Sequence, residues 1–191
     1  MRSSYIQNNY GEVLYAIVSA FVPTLCVELG VLDGYSTLHI ARALRDLNRS
    51  DTVLWSYDLF DDYPYKHGKA EDVRAMLEKE GVSHLVQLVK KDAYEAHEEF
   101  NDESVHLLHV DISNTGDTVD KIMERWDSKI VYHGIILFEG GTDERDEIEW
   151  MKKYNARLIK PALENNKIIA DRYVFATYLK FPGLTILLKK R

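Results

Sequence analysis

Short apolar runs alternate with longer amphipathic stretches along this chain, and the alternation predicts a layered α/β fold around a parallel sheet. A helix over roughly Gly11–Phe21 leads into a first strand, Thr24–Leu29, a brief apolar segment that stops at Gly30. Leu38, Ile40, Ala41, Leu44 and Leu47 then recur at helical spacings, with Ser36 placed to cap that helix. Val53–Tyr57 reads as a second strand ending in Asp58, and Lys69–Glu80 as a helix closed by Gly81. Leu85–Val89 is a third strand, followed by Asp92-Ala93 and a short helix near Tyr94–Phe100.

The second half continues the pattern. Val105–Val110 is nearly all apolar, as expected of a strand covered on both faces. Val119, Ile122, Met123 and Trp126 fall at i, i+3, i+4 and i+7 and mark one face of a helix. Gly134–Phe138 gives a fifth strand, preceded by His133 and followed by a helix over Asp143–Tyr154. Tyr173–Phe181 and Leu184–Leu188, joined by Pro182-Gly183, break the alternation and predict an antiparallel hairpin at the sheet edge. No repeat, low-complexity run or linker divides the chain, so residues 1–191 are expected to form a single domain.

Composition narrows the function classes. Apolar residues make up 46% and charged residues 29%, which suits a globular protein. A net charge of -7 argues against broad contact with nucleic acid, which needs a basic face. The one basic cluster, Lys189-Lys190-Arg191, reads as a solvated tail. Cys26, the single cysteine, suits a small buried hydrophobe and makes no internal disulfide. The apolar run Val13–Val27 is too short to span a membrane and is interrupted by Pro23. The expectation is therefore a cytoplasmic protein with neither a membrane nor a nucleic-acid partner. Tyr173, Tyr178 and Phe181, near the sheet edge, suit either a homodimer or packing within the hairpin.

The chemistry is concentrated in Glu28-Leu29-Gly30-Val31-Leu32-Asp33-Gly34-Tyr35-Ser36. A strand ends in a carboxylate, two glycines follow with three residues between them, and a helix begins. Glycine allows the tight turn and the close approach of a ligand. In open sheets that place is the crevice outside the strands' carboxyl ends, where helix N–H groups favour an anion. Asp58, ending the second strand, is placed to accept two hydrogen bonds from a ribose diol; a plain surface acid is the other reading. A dinucleotide site would read G-x-G-x-x-G, and Leu32 stands where its second glycine belongs.

This E-x-G-x-x-x-G-Y-S run resembles the first motif of class I S-adenosylmethionine-dependent methyltransferases, particularly the catechol- and sugar-type O-methyltransferases. The resemblance implies a Rossmann-like doubly wound sheet of seven strands, mostly parallel with an antiparallel C-terminal strand. It implies S-adenosylmethionine as cofactor and S-adenosylhomocysteine as product. Glu28 would lie by the methionine ammonium, with Gly30, Gly34, Tyr35 and Ser36 around the carboxypropyl part. Asp92 would meet the adenine amino group, with Ala93 beside the ring. Asp111, ending the fourth strand, would sit at the methyl-donor end of the pocket. The resemblance also implies that the N-terminal segment Tyr5–Gly11 folds over the cofactor.

Two departures bear on mechanism. Asn114 stands where the sugar-type pattern often has a histidine base, and an asparagine orients an acceptor without taking its proton. Glu139-Gly140-Gly141 replaces the paired oxygen ligands that end the fifth strand in metal-dependent relatives. A divalent metal is compatible with one or two carboxylates plus water, but the departures weigh against it and no metal ligand is assigned. Asp111, Glu139 and His67 are the candidate bases; His67 lies in a loop with Tyr63 and Tyr65 at alternate positions. His109 reads as a core histidine and His133 as structural, while Thr142–Arg145 lies on the acceptor side by topology. The expected activity is methyl transfer to a small-molecule acceptor, on oxygen. The alternatives are a protein that binds the same cofactor for another reaction or for none, and, last, an NAD(P)-dependent oxidoreductase.

Overall fold

A computed structural model describes residues 1–191 and contains one sheet of seven strands. The chain forms two compact units, Met1–Ala96 and His97–Arg191.

The first unit carries helix α1 (Tyr10–Phe21), β1 (Leu25–Leu29), α2 (Tyr35–Leu47), β2 (Val53–Asp58), α3 (Ala70–Lys79) and β3 (Val86–Lys90). Its strands pair in parallel, β1 with β2 and β2 with β3. Burial follows the apolar pattern: Cys26, Val27 and Leu29 of β1 and Ile40, Ala41 and Leu44 of α2 are shut away from solvent. Gly11 has no room for a side chain, because a Cβ there would lie 2.4 Å from His39 Nε2. That close approach sets α1 against α2. Gly81, at φ 70°, ends the chain's run out of α3 in the left-handed conformation that glycine takes without strain.

The second unit carries β4 (Val105–Val110), α4 (Gly116–Trp126), β5 (Ile130–Glu139), four short helices, α5 (Asp143–Asp146), α6 (Glu149–Lys153), α7 (Ile159–Asn165) and α8 (Lys167–Arg172), then β6 (Tyr173–Tyr178) and β7 (Leu184–Lys189). All four periodic residues of α4 are buried, and Thr115 and Thr118 close a reciprocal cap at its start. β5 runs parallel to β4, and β7 runs antiparallel to both β5 and β6. The strand order is β3-β2-β1-β4-β5-β7-β6, so the antiparallel C-terminal strand is inserted inside the sheet and β6 takes the edge.

Several local expectations change. Helix α2 is capped by Gly34, not Ser36; Ser36 lies within the first turn and turns its hydroxyl elsewhere. The helix expected over Asp143–Tyr154 is broken at Ile148, whose backbone is extended. Just before the break, the Asp146 carboxylate accepts from Ile159 N (2.8 Å) and Lys160 N (2.9 Å) and so caps α7. His133 lies inside β5, which begins four residues earlier than Gly134.

Lys189 is no part of a solvated tail. It ends β7, is buried, and donates through Nζ to the carbonyls of Asp127 and Ile130. Tyr173 is buried as well and donates its hydroxyl to Asp127 at 2.9 Å, so it is not an exposed edge aromatic; Tyr178 is. No helix is long and apolar enough to cross a membrane.

Candidate active site

The loop after β1 is built from a buried carboxylate outward. Glu28 has no solvent exposure, and three hydroxyls converge on it: Ser36 Oγ at 2.6 Å on Oε1, and Thr37 Oγ1 at 2.6 Å and Ser56 Oγ at 2.8 Å on Oε2. Ser56 is its register partner across the β1–β2 pair, while Ser36 and Thr37 come from the first turn of α2. Burying a carboxylate is costly unless it is hydrogen-bonded, and here the bonds fix where α2 starts relative to β1 and β2. Glu28 is thus tied to the first turn of α2 and to β2.

The turn itself runs from Gly30 to Gly34. Gly30 extends the β1–β2 ladder by donating to Tyr57 O at 2.9 Å, and Gly34 N returns to Val31 O at 2.8 Å. Gly30 and Gly34 have φ of 95° and 79°, and Leu32 between them has φ 50°. A Cβ at Gly34 would press on Met76 and Val73 of α3 at 2.9 Å. Gly34 brings no side chain to cap α2, whose first-turn amides are thereby left to backbone, water or an anion. Asp58 grips the same turn: its Oδ2 accepts from Val31 N (2.7 Å) and Leu32 N (3.0 Å), and its Oδ1 from Phe60 N (2.7 Å).

Two segments close over this turn. Gly68 packs so tightly that a Cβ there would fall 1.7 Å from Leu32 O. Arg2 binds Asp33 by its backbone N–H (2.6 Å), Nε (2.9 Å) and Nη2 (2.7 Å), and Nη2 also donates to His67 O at 2.9 Å. The Arg2 side chain holds the Asp33 carboxyl below its ordinary pKa. Farther along the segment, Tyr5 is fully buried and stacks on Tyr10 at 5.1 Å. His67 Nδ1 lies 2.7 Å from Tyr65 O, a contact that suits the neutral tautomer with Nε2 as the acceptor. After β3, Asp92 holds Tyr94 N through Oδ1 at 2.9 Å and Ala93 is buried.

In the second unit Asp111 follows β4, half-buried. Asn114, fully buried, donates Nδ2 to Val110 O (3.1 Å) and Glu139 O (3.0 Å), tying the ends of β4 and β5 together. Glu139 meets Arg145, whose Nε lies 2.8 Å from Oε1 and Nη2 3.2 Å from Oε2. Both side chains are more than nine-tenths buried. Burial pushes the Glu139 carboxyl above its ordinary pKa, with Arg145 and Asn114 pulling the other way. Arg145 also stands over the Trp150 ring, 5.8 Å from its centroid. Asn114 Oδ1 and Arg145 Nη1 have no hydrogen-bond partner. No group of three or more His, Cys, Asp or Glu side chains converges to hold a metal ion.

Residues 27–139, more than half of the chain, match the family model described as a methyltransferase domain. The chain belongs to this methyltransferase family. Solved structures resemble the methyltransferase over nearly its whole length. One from Geobacter sulfurreducens, a methyltransferase, is 17% identical with a TM-score of 0.70, covering 96% of this chain and 79% of that one. The O-methyltransferase TomG from Streptomyces achromogenes, solved with S-adenosylmethionine, is 16% identical with a TM-score of 0.70 over 96% and 80% of the two chains. An O-methyltransferase from Bacillus cereus, solved with S-adenosylhomocysteine, is 15% identical at a TM-score of 0.70, covering 96% and 81%. At these identities the likeness establishes the fold. No curated protein matches the methyltransferase.

Within the first unit the structure draws together Glu28, Gly30, Gly34, Tyr35, Ser36 and Asp58, all expected from the sequence. Ser36 and Asp58 are joined to the loop by bonds that sequence did not indicate. Sequence reading missed the roles of Arg2, Thr37, Ser56 and Gly68 around the same loop. Only the Glu28–Ser56 pairing carried a usable signal, since equivalent positions of adjacent parallel strands share a face. In the second unit Glu139, a candidate base from the sequence, has the Arg145 guanidinium at both of its oxygens.

Proposed function

We propose that this methyltransferase binds S-adenosylmethionine at the Gly30–Ser36 loop and transfers its methyl group to an oxygen of a small-molecule acceptor. The observation that carries the reading is the loop itself: a left-handed Gly30 and Gly34 around a turn held from below by Asp58, opening into a helix whose cap has no side chain. That arrangement fits an amino-acid carboxylate, which helix amides receive well. Gly30, Gly34, Tyr35 and Ser36 would hold the carboxypropyl part, with Glu28, bonded to Ser36 and Thr37, by the methionine ammonium. Asp92 and Ala93 would receive the adenine. The solved relatives that contain this cofactor or its product support the choice of cofactor.

When bound, the cofactor supplies a methyl carbon already activated by a sulfonium, so aligning the acceptor oxygen contributes much of the rate. That oxygen must shed its proton as the new bond forms. Asp111, ending β4, is the carboxylate assigned to take it, and His67 Nε2 is the second candidate. Glu139 is assigned a scaffold role, because Arg145 occupies both of its oxygens. The same pairing supports a reaction without a divalent metal, since a guanidinium already stands where a cation would bind that carboxylate. An acceptor oxygen is further supported by the O-methyltransferases among the fold relatives.

Calorimetric titration with S-adenosylmethionine and S-adenosylhomocysteine, each with and without chelator, tests the cofactor assignment. A screen of hydroxylated acceptors for S-adenosylhomocysteine release tests the transfer. Binding in the micromolar range and turnover unaffected by chelator are expected. A folded protein that binds neither ligand would overturn the reading.

A further inference from the structure

Asp58 is placed by sequence as an acceptor for both hydroxyls of a ribose, and its hydrogen bonds leave too little capacity for that. A carboxylate offers about four lone-pair positions. Oδ2 spends two on Val31 N and Leu32 N, and Oδ1 spends one on Phe60 N. A single position remains, on Oδ1. The residues gripped this way are the ones that need gripping: Leu32 and Phe60 have φ of 50° and 48°, a conformation that bulky side chains rarely adopt. Such backbone persists only when its surroundings over-determine it. Charge-assisted bonds from one carboxylate to the amides of Val31, Leu32 and Phe60 supply that constraint from one side. Gly68, pressed on Leu32 O, supplies it from the other.

We propose that Asp58 is a positioning residue that clamps the cofactor loop in its binding conformation, not the bidentate acceptor of the ribose diol. The inference rests on the cofactor reading above. It makes the affinity contributed by Asp58 independent of the ribose hydroxyls, apart from one bond at Oδ1.

The comparison is between S-adenosylhomocysteine and its 2′,3′-dideoxy analogue, titrated into the parent protein and the Asp58→Ala variant. A clamp predicts that the variant binds the dideoxy analogue about tenfold more weakly or worse, since a displaced loop costs every ligand that uses it. Equal binding of the dideoxy analogue by variant and parent would overturn the proposal, because the carboxylate would then act only through the hydroxyls. If Asp58→Ala does not fold, Asp58→Asn carries the same comparison, as an amide nitrogen cannot accept from Phe60 N. Hydrogen exchange gives an independent reading in ligand-free protein. Faster exchange at Val31, Leu32 and Phe60 in the variant is expected, and unchanged exchange there overturns the clamp. A parent that binds neither ligand fails before any substitution is made, which separates loss of the cofactor reading from loss of this one.

Discussion

Arg145 meets Glu139 through two parallel contacts, Nε to Oε1 at 2.8 Å and Nη2 to Oε2 at 3.2 Å, with both side chains almost entirely buried. Removing one partner of such a pair leaves an uncompensated buried charge, at a cost of about 3–5 kcal/mol. Arg145→Met is therefore expected to lower stability by that order in denaturant unfolding. Burial, opposed then by Asn114 and His109 but no longer by a guanidinium, would raise the folded-state pKa of Glu139 further above the unfolded value. A raised carboxyl binds more protons folded than unfolded, so stability falls as pH rises through its folded pKa. The penalty in Arg145→Met should thus be smallest in acid and grow toward neutral pH. Adding Glu139→Gln should recover much of it. A penalty independent of pH would show that the pair is not what the substitution breaks.

Gly68 has no latitude at all. A Cβ there would fall 1.7 Å from Leu32 O and 2.5 Å from Leu32 C, both backbone atoms of the Gly30–Gly34 turn. Gly68→Ala must displace either that loop or its own, and overpacking of this kind costs about 1–3 kcal/mol. The expected signature is weaker binding of S-adenosylhomocysteine, by about tenfold, in a protein that still folds cooperatively. Affinity equal to the parent's would mean that the 63–69 loop yields instead.

Lys189 closes the far side of the second unit. Its Nζ donates to Asp127 O and Ile130 O, and Asp127 also receives the Tyr173 hydroxyl and Arg172 Nη1. Burial holds the lysine below its ordinary pKa, against the pull of Asp127. Lys189→Met keeps the stem but strands two buried carbonyls, each about 1–3 kcal/mol when unsatisfied. A fall in thermal midpoint of several degrees is expected, with cofactor affinity unchanged. A stability equal to the parent's would return Lys189 to the solvated tail that its sequence suggests.

Cys26 is fully buried in β1, and burial pushes its thiol well above the ordinary range, with Glu28 adding to the effect. Only the thiolate reacts. In folded protein the thiol should therefore resist disulfide reagents and alkylation, and become reactive at the rate of unfolding. Fast labelling under native conditions would contradict the burial of β1.

Periodicity was enough to place most of the strands and long helices, because alternation and the 3.6-residue repeat are local consequences of a buried face. Val105–Val110 matches β4 to the residue, and the four periodic positions of α4 are all buried. The glycine loop was equally legible: Gly30 and Gly34 take the left-handed backbone that only glycine adopts freely, and Glu28 precedes them on a strand.

What the sequence could not carry is the partner each polar group takes. Glu28, Asp58 and Glu139 look alike as carboxylates ending strands. Folding gives the first three hydroxyls, the second three amides and the third a guanidinium. Arg2 and Asp33 meet across 31 positions of sequence, and Lys189 and Asp127 across 62. Such contacts leave no periodic trace. A charged residue at the chain's end reads as solvated until a strand turns it inward, where desolvation obliges it to find carbonyls and a carboxylate. The sequence by itself determined most of the strands and long helices and the glycine turn after β1, since these follow from local geometry. Tertiary structure alone decided which partners the carboxylates Glu28, Asp58 and Glu139 take, since that depends on which donors distant segments bring to each one.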